Sequence, residues 1–99
     1  MKIPKQFCIA GGKKINVKVV DNIDDYSTYG NFSAVFSTIK LARKVKCDGK
    51  TVIVNREDLE RTFLHELIHC MNYFYNCETD ENIAQTFSNF VYEYLKTKN

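Results

Sequence analysis

Apolar and polar positions alternate along the first half of the chain and recur at helical spacing along the second. In "FCIAGGKKINVKVV" Ile15, Val17 and Val19 alternate with Asn16, Lys18 and Val20, a period of two that predicts two short strands around the Gly11-Gly12 turn. "VDNIDDYSTYGN" carries turn chemistry in its Asp, Asn and Gly residues, with room for a helical turn. "FSAVFSTIKLARKVK" is rich in β-branched and aromatic residues, and Ile39, Leu41, Val45 and Cys47 alternate with lysines. It reads as an interrupted strand. "CDGK" signals a turn, and "TVIVN" is either a last strand or the approach to a helix.

From Asn55 the period changes. Asn55 is a good N-cap, and Glu57 and Asp58 follow in the first turn, where a helix dipole favours negative charge. Leu59, Phe63, Leu67, Cys70 and Phe74 fall on one stripe, flanked by Leu64, Ile68 and Met71, which predicts a helix from Arg56 to Tyr75. "NCETD" breaks it. A second helix is expected from Thr79 or Asp80, with Ile83, Phe87, Phe90 or Val91, and Tyr94 as its buried stripe. Strands first and two helices after them imply an α+β domain with an antiparallel-rich sheet and both helices packed on it.

A chain of 99 residues, 44% hydrophobic and 26% charged, fits one globular domain over residues 1–99 and excludes disordered or collagen-like classes. No stretch reaches the roughly 18 apolar residues of a membrane span, and "MKIPKQFCIAGGKK" lacks the apolar core of a signal peptide. A cytoplasmic monomer without membrane contact is therefore expected. Cys8, Cys47, Cys70 and Cys77 contain no CxxC pair and are expected to be reduced. Residues 1–50 carry ten Lys/Arg against four Asp/Glu, and residues 51–99 carry four against eight. The basic half admits a nucleic-acid partner. Lysines at Lys40, Lys44 and Lys46 are more simply explained as the guards of an exposed or edge strand.

The chemistry concentrates in "FLHELIHCMNY". Both histidines of the chain are here, four residues apart, so on a helix His65 and His69 direct two imidazoles at one point. That arrangement suits zinc. Glu66, about 100° further round the helix, can reach a water at the metal without being a ligand, the position of a general base. Asp58, Arg61, Thr62 and Asn72 share the histidine face and border a cleft beside the apolar stripe. A catalytic zinc takes three protein ligands and leaves one position open. The HExxHxxGxxH pattern is absent, since Asn72 and Tyr75 stand where its glycine and third histidine would fall. The third ligand must come from Glu78, Asp80, Glu81, Glu93 or Cys77. Cys70 lies on the buried stripe and reads as core; Tyr73 and Tyr92 are candidates to stabilise an oxyanion.

"TFLHELIHCMNYF" followed by "ETDENIAQTFSNFVYEYL" resembles the small phage and bacterial minimal zincins grouped with ImmA/IrrE-type metallopeptidases, gluzincin-like enzymes. There HExxH is followed in the next helix by a pattern like ExxA[NQ]xF[AS], matched here by Glu81, Ala84, Gln85, Phe87 and Ser88. The match spans about Thr62 to Leu95, and covers the strand-rich half by type alone. The resemblance implies a zincin-like fold, zinc held by His65, His69 and Glu81, and Glu66 as general base of peptide hydrolysis. It also implies a bacterial or phage-infected cell as the setting. An edge strand beside the active helix would pair with an extended peptide substrate, and "TIKLARK" is the expected strand. The alternative is a non-catalytic, zinc-stabilised zincin scaffold that binds a protein or nucleic acid.

Overall fold

The computed structural model of the chain describes residues 1–98. Six strands precede two helices: β1 (Gln6–Ile9), β2 (Lys13–Val20), β3 (Gly30–Ser33), β4 (Thr38–Ala42), β5 (Lys44–Cys47), β6 (Lys50–Ile53), α1 (Arg56–Phe74) and α2 (Glu81–Thr97). β1 to β4 form one sheet in the order β1-β2-β4-β3, and β5 and β6 form a separate hairpin. The β1/β2 and β3/β4 pairs are antiparallel, whereas β2 and β4 run parallel. The sheet is therefore mixed. No helix among the described residues is long and apolar enough to cross a membrane, and all four cysteines are free thiols.

The period-two pattern of β2 and β4 aims Ile15, Val17, Ile39 and Leu41 at α1, which returns Phe63 and Cys70 and, at the margins, Leu59, Leu67 and Phe74. This is the stripe anticipated for α1. Asn55 caps the helix as expected, accepting a 2.8 Å hydrogen bond from the Asp58 amide. Burial pushes the Cys70 thiol pKa up, in keeping with a core role.

Three expectations are overturned. α2 packs principally on α1, not on the sheet. Its buried residues are Ala84, Ser88 and Tyr92, while Ile83, Phe87, Phe90 and Tyr94 are exposed. The buried face combines two small side chains, Ala84 and Ser88, that let α2 pack against α1, with Tyr92 further along, held beneath Arg61. "TIKLARK" is not an edge either. Most of it is β4, paired on one side with β2 and on the other with β3, and Lys40 projects from the open face of the sheet beside Lys18, its neighbour in register. Lys44 and Lys46 do lie in a two-stranded hairpin that is all edge. "VDNIDDYSTYGN" contains a left-handed turn, with φ of 50°, 54° and 67° at Asp24, Asp25 and Tyr26, anchored where the Lys46 amide donates to the Tyr26 carbonyl at 2.8 Å.

The edge strand beside α1 is β3, and Gly30 sets how near it comes. A Cβ built on Gly30 would stand 2.6 Å from Thr62 Cγ2, 3.1 Å from the Lys40 carbonyl oxygen and 3.4 Å from Glu66 Cγ. Thr62 is short and β-branched, with little room to yield. Gly30→Ala should lower stability by about 1–3 kcal/mol, the usual cost of overpacking, measured by urea denaturation. An unchanged midpoint would mean that β3 and α1 separate freely.

Candidate metal centre

α1 directs its polar face toward the start of α2. Asp80 caps α2, its carboxylate accepting a 2.7 Å hydrogen bond from the Ile83 amide, and this fixes Glu81 at the first helical position. His65 Nε2 lies 2.9 Å from Glu81 Oε2, His69 Nε2 lies 3.0 Å from Glu81 Oε1, and the two imidazole nitrogens are 3.1 Å apart. Among the described residues these three form the one cluster of His, Cys, Asp and Glu side chains with this convergence. The other third-ligand candidates are engaged elsewhere. Glu93 pairs with Arg61 at 3.0 Å, Asp80 is spent on the cap, Cys77 Sγ sits 3.6 Å from Asn72 Oδ1, and Glu78 is an exposed residue of the connecting loop.

The chemistry of the donor set fits a divalent cation. Four atoms with lone pairs, the two imidazole Nε2 and both Glu81 carboxylate oxygens, meet with neighbouring distances of 2.9–3.1 Å, an arrangement that needs shared protons or a cation to offset lone-pair repulsion. A tetrahedral ion at about 2.0–2.1 Å from each ligand separates its donors by roughly 3.3 Å, within a few tenths of an ångström of these distances. Two imidazoles and a carboxylate are a donor set that suits a divalent transition metal, Zn²⁺ or Fe²⁺ among them. Glu81 is 73% exposed at its side chain, leaving the cluster open to solvent on one side. One feature departs from well-supported metal sites: His65 Nδ1 is buried and has no hydrogen-bond partner, where a ligand histidine ordinarily donates to a carboxylate or carbonyl.

Glu66 is 6% exposed, wedged between the histidine face and β3. Burial, with a smaller contribution from the Glu81 carboxylate, pushes its pKa up to about 7, so it can both take and release a proton near neutrality. In front of it opens a cleft of ≈ 520 Å³, lined by Tyr29, Gly30, Arg61, His65, Gln85 and Asn89 among others. A second depression, which includes Phe32, Tyr73 and Asn76, lies on the far side of His69. β3 touches both.

Asp58, Arg61 and Thr62 line the first cleft, and Asn72 lines the second. Of the two tyrosines considered for an oxyanion, Tyr73 borders the second depression, whereas Tyr92 is buried beneath Arg61 and Lys96, whose cationic groups stand 4.7 Å and 5.6 Å from its ring centre. Tyr29, Gly30 and Asn89 were not anticipated. Asn89 was legible, since Glu81, Gln85 and Asn89 follow at i, i+4 and i+8 on one polar stripe. Tyr29 and Gly30 belong to a segment that reads as turn and gave no such signal. Comparison of the chain with protein-family models, curated proteins and solved structures finds no match.

Because the native pKa of Glu66, about 7, exceeds that of an unfolded glutamate, near 4.3, the metal-free native state binds more protons than the unfolded state between those values. Its contribution to stability is full below the unfolded pKa and is lost as pH rises through 7. In chelator-treated protein, Glu66→Gln should match the wild type below about pH 4 and exceed it by of order 2 kcal/mol at pH 8. Denaturation at the two pH values measures the difference, and a gap independent of pH would refute the raised pKa.

Proposed function

We propose that the protein is a zinc-dependent metallopeptidase of the minimal-zincin kind, with His65, His69 and Glu81 as metal ligands and Glu66 as general base. The observation that carries this reading is the meeting of two imidazoles and a carboxylate from different helices beside a buried glutamate and an open cleft. His65, His69 and Glu81 would hold the zinc, which when bound would supply Lewis-acid polarisation of a carbonyl and a water of lowered pKa. Glu66, buried beside the histidines, would be the residue that holds the proton in passage from the attacking water to the departing amine. An extended peptide adds to the free edge of β3 at Gly30–Ser33, its backbone hydrogen-bonded to the strand and its side chains entering the clefts on either side of the histidines. Arg61, held by Glu57 and Glu93 at 3.0 Å each, lines one end of that track.

A second reading, a zinc-stabilised module that binds a protein without cleaving it, is favoured by one observation: the unpartnered His65 Nδ1. The partner of a ligand histidine fixes its ring and tunes the metal, and its loss typically costs 10–100-fold in metal affinity or activity.

Purified protein should carry one zinc per chain, and His65→Ala should abolish it. Glu66→Gln should keep the zinc while turnover of an unfolded protein substrate drops by about 10²-fold or more. Equal and negligible zinc in wild type and His65→Ala would end the metal reading. Full zinc, with a partner bound equally by wild type and Glu66→Gln and no cleavage by either, would select the binding module.

A further inference from the structure

The outward face of α2 is uncharged and apolar. Ile83, Phe87, Phe90 and Tyr94 are 54%, 54%, 69% and 59% exposed, and they follow at i, i+4, i+7 and i+11, the spacing of a buried stripe. The eleven residues from Asn82 to Tyr92 contain no charged side chain. Beside the stripe runs a small apolar groove where Phe87 and Val91 of α2 meet Leu64, Leu67, Ile68 and Met71 of α1. Met71 is itself 40% exposed. With about 150–250 Å² for each aromatic side chain, these exposed fractions amount to roughly 500 Å² per molecule. Two copies in full contact would remove up to about 1,000 Å², the lower bound for a specific interface and the size of a modest, concentration-dependent one.

From these features we infer that two copies of this chain pair through α2, antiparallel, about a two-fold axis between Phe87 and Phe90. The stripe is self-complementary in that direction. Phe87 of each copy meets Phe90 of the other, and Ile83 meets Tyr94. Asp80, an exposed residue that begins the stripe, comes against Lys98 at its far end. A parallel pair would set like charges together at both ends, so the charge order selects the antiparallel register. A centre without charge and rich in aromatic residues is what a protein interface core requires, and an isologous pair satisfies both stripes at once. The metal cluster and cleft lie on the other side of α2, along Glu81, Gln85 and Asn89, so they stay open in the pair. The inference holds whether or not the protein is a peptidase, and it differs from the monomer expected from the sequence.

Sedimentation of the full chain in the presence of chelator, from about 1 µM to about 500 µM, spans the range where a modest interface associates. The mass should rise with concentration from 11.5 kDa toward twice that value. Phe90→Glu, at a solvent-exposed position, should hold the chain at one copy with an unchanged circular dichroism spectrum. The double variant F87K/F90E places opposite charges across the antiparallel pair and should restore association. A wild-type chain that stays at one copy throughout overturns the inference, as does Phe90→Glu associating like the wild type. A double variant that remains monomeric overturns the antiparallel register, and the pairing with it.

Discussion

The close approach of α2 to α1 through Ala84 and Ser88 is the contact on which the other features depend. Both side chains are buried to 1% exposure or less, and no bulkier pair would let the helices sit so near. That contact, together with the buried Tyr92 and the Arg61–Glu93 ion pair, sets the rotation of α2 about its own axis. Glu81, one turn before Ala84, is thereby brought onto the two imidazoles, while Phe87, Phe90 and Tyr94, about half a turn away, are left to solvent. The same helix–helix contact thus builds the candidate metal cluster and uncovers the apolar stripe together.

α1 serves three neighbours at once. One face carries Phe63 and Cys70 into the sheet core, a second offers Leu64 and Ile68 to α2, and the third presents His65 and His69. Glu66 falls at the boundary between the sheet face and the histidine face, where β3 closes over it at Gly30. Its raised pKa is therefore a consequence of how tightly the edge strand meets the helix, since desolvation is the larger cause and the Glu81 charge the smaller. Polar ties reinforce the pairing of the helices: Arg61 bridges Glu57 of its own helix and Glu93 of α2 and lies over the Tyr92 ring. Exposed ion pairs of this type add little singly; their effect here is to orient Arg61 along the cleft.

The local signals in the sequence were sufficient wherever a residue's neighbours lie within one turn or one strand. The α1 cap at Asn55, the sheet-facing stripe of that helix, the β1/β2 turn and the placing of His65, Glu66 and His69 on one helix all follow from spacing alone, because the helical and strand periods leave no other arrangement. The α+β class follows from the order of the elements.

What tertiary structure decided was every choice between equivalent faces and edges. α2 has an aromatic stripe and a small-residue stripe, and the sequence reading buried the aromatic one on hydrophobicity. Helix packing chose the other, because distance of approach depends on side-chain size as well as polarity. Glu81 was one of five third-ligand candidates in the residues themselves, and only the rotation of α2 set it against the histidines. The edge beside α1 fell to β3 and not to "TIKLARK", since parallel pairing of β2 with β4 is a long-range contact that no local pattern encodes. Composition and periodicity determine which surfaces of an element are able to be buried; the partners that exist in three dimensions determine which of them is.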